Sequence, residues 1–297
     1  MNDSTVYLST EEAAAYLGIK ERKLYELVAH GAVPCSKATG KWLFPRAALD
    51  RWIEAGLAQP DGYRPAPAPP IIGGSHDPLL EWAARRSDCG LALLSEGSAA
   101  GIGRLERNEI AMAAIHMHGG SLPEEADNAA AIMGAQRLKD AVVIGFARRE
   151  QGLVTVPGNP LGLADLVEAA KRKARFGLRQ SGAGAQMLLT ALLARDGLAD
   201  TDLAGVGDYA TGQDLAFAIR AGEIDCGVAT RAVATGNGLG FVPLAWERFD
   251  LALRRRTYFE PGPQRLFGLM REPEFHRHAE ILSGYDTSLA GQVRLNR

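Results

Sequence analysis

Apolar positions between Ser9 and Ala55 recur at helical spacing. Ser9 stands where a helix N-cap is wanted, and Glu12 follows at the spacing of a capping box. Ala13, Ala14, Leu17 and Ile19 give a short apolar face, which Gly18 interrupts. A second helix is expected over Glu21–His30, carried by Leu24, Leu27 and Val28, with Gly31 suited to cap it. Two apolar runs within Val33–Phe44 flank the turn signal Ala38-Thr39-Gly40, the pattern of a small hairpin. Arg46–Ala55 reads as a third helix with Leu49, Trp52 and Ile53 facing inward.

From Ile71 the pattern changes to apolar runs of strand length alternating with helical segments. The runs are Ile71-Ile72, Cys89–Leu94, Ile110–Met117, Ala141–Phe146, Leu153–Val156, Phe176–Leu178 and Ile224–Ala229. The helical segments are Ser98–Arg107, Ala164–Arg172, Met187–Ala194 and Leu215–Ala221. This alternation predicts parallel sheets covered by helices on both faces, with ligands bound at the carboxyl ends of strands. The two regimes are separated by Gln59–Pro70, in which five of twelve residues are proline. Such a segment favours extended polyproline II and acts as a semi-rigid spacer. The expected division is therefore residues 1–58, a linker over 59–70, and a larger domain over 71–297.

Composition narrows the function classes. The chain has 297 residues, 46% hydrophobic and 23% charged, the balance of an ordinary globular protein. Its formal net charge is −2, so any nucleic-acid contact must come from a local patch. One exists: from Lys20 to Arg46 six basic residues stand against two acidic ones, Glu21 and Glu26. Cys35, Cys89 and Cys226 are scattered, which argues against a disulfide framework or a structural zinc site. No signal-peptide pattern and no membrane-length apolar run is visible, so a cytoplasmic protein is expected. No nucleophile–base–acid set, G-x-S-x-G elbow or P-loop is found, and catalysis is not expected.

Two short helices around Gly18 and a following hairpin make a winged helix-turn-helix. Residues 7–53 resemble the excisionase-like helix-turn-helix family, a relative of the mercury-regulator type. The resemblance lies in the EAAAYLG start, the LYELVAHG second helix, the basic wing and the closing FPRAALDRWI. It implies that Lys20, Arg22, Lys23 and Tyr25 sit on a recognition helix and that Lys37, Thr39, Gly40 and Lys41 sit on the wing, with double-stranded DNA as the partner. Trp42 and Phe44 are expected to pack the wing onto the core. A module this small rarely specifies a site alone, so a homodimer or larger homo-oligomer is expected.

In the larger domain three glycine-bearing loops open helices: Ser95-Glu96-Gly97-Ser98, Ser181-Gly182-Ala183-Gly184 and Tyr209-Ala210-Thr211-Gly212. Loops of this kind leave N–H groups free at the positive end of a helix dipole and favour an anion. The region from about Pro70 to Val293 resembles the periplasmic-binding-protein-like domain found with helix-turn-helix domains in bacterial regulators, itself similar to molybdate- and tungstate-binding proteins. The landmarks are GGSHDPLLEW, EGSAAGIGRLERNEIAMAAIHMH, REQGLVTVPGNP, RFGLRQSGAGAQMLL, AIRAGEIDCGVATRAVA, FVPLAWERFDL and GYDTSLAGQV.

The resemblance implies an α/β fold of two lobes, type II in topology, closing over a ligand. Lobe 1 would span about 71–152 and 240–297, and lobe 2 about 153–239. It implies ligand contacts at Ser95, Ser98, His116, Ser181, Gly182, Ala183, Gly184, Tyr209, Thr211 and Thr230. No resident cofactor is implied, but molybdate or tungstate is implied as a bound effector. The loop Ser181–Gln186 departs from the R-G-S-G-T-R that the family often carries, having lost both arginines, the serine and the threonine. Asp214 also stands near where a histidine is common. A less anionic organic metabolite is therefore the alternative effector. His116-Met117-His118 would place two imidazoles on one face of a strand, yet no close Cys, Asp or Glu completes a metal set, so no metal is expected. The overall expectation is a ligand-responsive, DNA-binding transcription regulator, with an excisionase-like recombination accessory as a further alternative.

Overall fold

The computed structural model describes residues 6–38, 40–55, 66–118 and 128–297. The chain divides into two compact units, Met1–Ala66 and Pro67–Arg297. The expected linker over 59–70 falls largely outside the described residues, as does Thr39 on the wing.

The first unit runs β1 (Tyr7–Leu8), α1 (Thr10–Leu17), α2 (Glu21–Ala29), β2 (Phe44–Pro45) and α3 (Arg46–Ala55). The capping box forms: Ser9 N–H donates to the Glu12 carboxylate at 2.8 Å, and Glu12 N–H donates to Ser9 Oγ at 3.3 Å. Gly18 closes α1 in the left-handed conformation, φ +66°, which turns the chain into α2. Leu8, Ala13, Ala14, Leu24, Val33, Phe44 and Leu49 form the core, with Trp42 packed against it. Two expectations need correction. The hairpin shrinks to one bridge between Ser36 and Leu43, because β2 pairs with β1 instead. Trp52 and Ile53 are 37% and 42% exposed, since Leu49 alone fills the space that α3 meets.

The second unit starts with β3 (Ile71–Gly74), α4 (Pro78–Arg86), β4 (Ala92–Ser95), α5 (Ser98–Glu106), β5 (Met112–Ile115), α6 (Asn128–Gly134) and β6 (Ala141–Thr155). It continues with α7 (Leu166–Lys171), β7 (Arg175–Arg179), α8 (Gly184–Arg195), β8 (Ala204–Tyr209), α9 (Gly212–Arg220), β9 (Cys226–Thr230) and α10 (Arg231–Gly236). It ends with β10 (Gly240–Arg254), α11 (Arg255–Tyr258), α12 (Pro261–Leu269), α13 (Pro273–Leu282), β11 (Tyr285–Asp286) and β12 (Val293–Asn296).

One curled sheet has the order β4-β3-β5-β10-β6-β9-β7-β8, with β11 and β12 also on β6. The outer strands are parallel among themselves, β4-β3-β5 in one half and β9-β7-β8 in the other. The halves are joined by β6 and β10, two 15-residue strands antiparallel to each other. The sheet is therefore mixed rather than purely parallel. The expected strands Ala141–Phe146 and Leu153–Val156 are the two ends of β6. The ladder of this pair shifts register twice, between Pro243 and Ala245 and between Phe249 and Asp250.

Each half packs two apolar layers, as a sheet covered on both faces requires. Val142, Ile144 and Phe146 join Leu79, Leu253 and Phe275 in one layer, while Ala141 and Val143 join Leu105, Ile110 and Ile132 in the other. The second half repeats this with Phe176, Leu188 and Leu192 in one layer and Leu215, Ile219 and Val233 in the other. Gly101 lets α5 lie directly on β3, since a Cβ there would stand 2.7 Å from Gly74 Cα.

Phe249 is fully buried on β10, edge-on to Phe146 at 5.6 Å and beneath the Arg149 guanidinium at 4.0 Å. Phe249→Ala is expected to cost about 3–5 kcal/mol in urea unfolding of the full chain. A loss below about 1 kcal/mol would contradict its role as the floor of the junction between the halves.

Candidate functional site

The polar run Arg148-Arg149-Glu150-Gln151 lies midway along β6. Strand alternation puts Arg149 and Gln151 on one face, and the ladder sets Arg149 opposite Glu247 of β10. Arg149, Gln151 and Glu247 are 1%, 2% and 1% exposed, which is tolerable only because they satisfy one another. Arg149 Nε donates to Glu247 Oε1 at 2.7 Å and Nη2 pairs with the same oxygen at 2.5 Å. Nη1 donates to Asp77 Oδ2 at 3.0 Å and reaches His76 O at 3.5 Å. Tyr285 Oη donates to the same Asp77 oxygen at 3.0 Å. Glu247 also accepts from Gln151 Nε2 at 2.7 Å and meets His118 Nε2 at 2.9 Å.

His116 Nδ1 lies 2.7 Å from Arg149 Nη2 and 2.8 Å from Glu247 Oε1. Nδ1 is thus held between the guanidinium and the carboxylate. Burial pushes the His116 pKa down to about 4, against the pull of Glu247, so the ring is neutral. Burial also opposes ionisation of Glu247, but the Arg149 charge, with hydrogen bonds from His116 and His118, holds its carboxyl well below the ordinary range. His116, His118 and Glu247 could offer three ligand atoms to a cation. The acid that the sequence lacked nearby is thus supplied by β10. The Arg149 guanidinium already occupies that space, and a divalent ion would have to displace it.

Beside this cluster is a cavity of about 480 Å³, mouth included, whose walls come from both halves. Ser75, His76, Ser95, Gly97 and His116 face it from one side, Arg149 and Gln151 from the shared strand, and Arg179, Ala183, Gly184, Gly212 and Thr230 from the other. The halves touch across it. Gln180 Nε2 donates to Glu96 O at 3.2 Å, and a Cβ on Gly184 would overlap Nε2 of His116. Neither α5 nor α8 has a side-chain cap at its start, so both keep unspent N–H groups at the cavity edge.

Arg179 is the unusual charge. Its Nε donates to Tyr209 O and its Nη2 to Ala210 O, each at 2.8 Å, and no carboxylate pairs with it among the described residues. Burial lowers its pKa to about 10. Nη1 has no partner among the described residues and remains available to whatever enters the cavity. By contrast, all five N–H donors of Arg149 are engaged.

Of the residues inferred from sequence, Ser95, His116, Ala183, Gly184 and Thr230 line this cavity. Ser98, Ser181, Gly182, Tyr209 and Thr211 do not. The Ser98 hydroxyl is buried behind the wall, 2.8 Å from Ser75 Oγ and accepting from His116 N–H at 3.0 Å. Ser181 is exposed, and Gly182, φ +83°, makes the turn without facing the space. Thr211 is consumed by its own capping box: its Oγ1 accepts from Asp214 N–H at 3.1 Å, and the Asp214 carboxylate accepts from its N–H at 2.8 Å. That loop therefore offers an anion a carboxylate instead of free donors. The tyrosine ring of Tyr209 lies against Gly207 and its carbonyl holds Arg179. Ser75, His76, Arg149, Gln151 and Arg179 were missed. The signal available for Arg149 and Gln151 was a polar run inside an otherwise apolar strand.

In the first unit Lys20, Arg22, Lys23 and Tyr25 are exposed at the start of α2, and Lys37 and Lys41 are exposed beside the Ser36–Leu43 bridge. Glu26 pairs with Lys23 at 3.2 Å and with Arg22 at 3.7 Å, partly offsetting the basic surface. Lys37 sits over the Trp42 ring at 5.1 Å.

A family model described as the PBP superfamily domain matches residues 80–271. The chain belongs to this family. A second model, described as a helix-turn-helix domain, matches residues 7–56. No curated protein matches the chain by sequence. Among solved structures, a substrate-binding protein of Clostridium perfringens with bound phosphate is 13% identical over 71% of this chain and 96% of its own, at a TM-score of 0.52. PhnD1 of Prochlorococcus marinus in complex with methylphosphonate is 9% identical over 75% and 94%, at 0.52. The tungstate ABC transporter of Geobacter sulfurreducens is 12% identical over 71% and 97%, at 0.50. These likenesses concern the fold of the PBP-superfamily unit. The matched families are DNA-binding and ligand-binding domains rather than catalytic ones, and no described helix is long and apolar enough to cross a membrane.

The buried histidine makes stability depend on pH. Between the ordinary value of 6.5 and about 4 the unfolded chain binds a proton at His116 that the folded chain does not. Stability should therefore fall as pH drops through that window, by roughly 3 kcal/mol in full. Urea unfolding at pH 7 and pH 4.5 should show a clearly smaller acid loss for His116→Gln. Equal losses in both proteins would contradict the neutral, buried ring.

Proposed function

We propose that this chain is a ligand-responsive transcription regulator of the cytoplasm, in which the PBP-superfamily unit senses a small oxyanion and the helix-turn-helix unit binds double-stranded DNA. The observation that carries the anion is Arg179, a cavity-lining guanidinium held by two carbonyls with no carboxylate partner among the described residues. The uncapped starts of α5 and α8 reinforce it, one from each half. Of the three solved structures of similar fold, one holds phosphate, one holds methylphosphonate and one is a tungstate transporter, and all three anions are tetrahedral oxyanions.

An anion seated there bridges the α5 edge of one half and the Arg179 edge of the other, so it favours the form in which the halves touch. That differential affinity is what a switch requires. The expected working state is a homodimer, which presents two helix-turn-helix units to paired half-sites.

Calorimetric titration with phosphate, methylphosphonate, sulfate, molybdate and tungstate tests the effector. At least one should bind the wild type, and Arg179→Gln should weaken it by about 10–100-fold, the worth of one charge-assisted hydrogen bond. Undiminished binding by the variant would remove Arg179 from the site.

DNA binding is tested separately. Arg22→Ala should either lower affinity uniformly and reduce the salt slope by about one, or cost about 1–3 kcal/mol at one base pair. Salt-titrated binding identical to wild type for both Arg22→Ala and Lys23→Ala would reject α2 as the reading helix.

A further inference from the structure

Gln151 carries one more piece of chemistry. It lines the cavity at 2% exposure, and its Nε2 donates to Glu247 Oε1 at 2.7 Å. Rotating the amide by half a turn would set two acceptors against each other at that distance, so the carboxylate decides which way the amide faces. The atom left over is Oε1, which is buried and has no hydrogen-bond partner among the described residues. A buried acceptor without a donor is unfavourable, and the residue that carries it also lines the cavity. Arg149, the nearest cation on the same strand, spends its donors on Glu247, Asp77 and the His76 carbonyl.

We infer that the effector carries its own O–H donor, received by Gln151 Oε1, and so belongs to the oxyanions that retain a proton near neutral pH, phosphate and phosphonates, rather than to sulfate, molybdate or tungstate. This rests on the oxyanion reading above and narrows it. Gln151 is thus a specificity-determining residue, and Glu247 positions it.

Discrimination is read by titrating the full-length protein at pH 7 with the five anions named above. Phosphate and methylphosphonate should bind at least about tenfold tighter than sulfate, molybdate and tungstate, because an acceptor site rejects a ligand that lacks the donor. Gln151→Met keeps the length and removes the acceptor. It should weaken phosphate about tenfold and leave sulfate no weaker.

A second reading uses the wild type alone and does not depend on that variant folding. Above the second pKa of methylphosphonate its O–H is lost, and its affinity should fall about tenfold per pH unit, while phosphate keeps one proton and falls less. The charged groups around the amide are Arg149, Arg179, Asp77 and Glu247, with His116 and His118 beside them. Arg179 stays charged up to about 10, and His116, at about 4, is already neutral. Sulfate or tungstate binding as tightly as phosphate, or a methylphosphonate affinity flat across its second pKa, would overturn the inference and leave the oxyanion reading standing. If none of the five anions binds, both fall.

Discussion

A fully buried guanidinium at the centre of the longest strand pair is the constraint on which the site depends. Desolvating such a charge costs several kcal/mol even after relaxation. Arg149 is tolerated because Glu247 faces it across the ladder and Asp77 meets it from the start of α4. Once that arrangement is in place, its neighbours lose their freedom. His116 is held between Arg149 and Glu247, and Gln151 must aim its amide nitrogen at Glu247. Removing one partner would leave a buried charge exposed to no water at all, a heavier loss than any single contact.

The site also separates the groups that build it from those that meet a ligand. Arg149 is conspicuous, charged and central, yet its donors are all spent on protein atoms. Arg179 makes two ordinary hydrogen bonds to carbonyls and keeps capacity in reserve. The helix starts divide in the same way. α4, α9 and α10 are capped by Asp77, Thr211 and Thr230, whereas α5 and α8 are left open by Gly97 and Ala183. Capping chemistry thus decides which helix ends can serve an anion, independently of the glycine content of their loops.

Much of the architecture was legible because it rests on local rules. The Ser9–Glu12 capping box, the break at Gly18, the Arg46–Ala55 helix and the alternation after Ile71 follow from spacing alone. The legible part of the site was the loop set, of which Ser95, Gly97, Ala183, Gly184, Ala210 and Gly212 reach the cavity. What stayed hidden depends on long-range pairing. Arg149 meets Glu247 from 98 residues away, and no local pattern announces that partnership. The polar run that carries Arg149 and Gln151 broke the apolar pattern and made one strand read as two. Thr211 misled for the opposite reason. A threonine opening a helix looks like a free donor until Asp214 is seen to use it up. Arg179 lay two residues before the loop where a cation was sought, and the strand that ends there delivers its side chain to the same space.

The paired strands β6 and β10 belong to both halves, so any opening must be taken up within them. Their ladder shifts register on either side of Trp246 and Glu247, between Pro243 and Ala245 and between Phe249 and Asp250. The carboxylate that organises the binding groups rides on the short length of β10 between these two irregularities. Mechanically the protein resembles a clasp whose pivot pin is also part of its lock. Bending the pivot would disturb the alignment of His116 and Gln151, so opening would reshape the cavity and not merely widen it. On the proposed reading, capture and closure would share a single elastic element, and substitutions that only stiffen this part of β10 would shift sensitivity while every ligand-facing atom stayed the same.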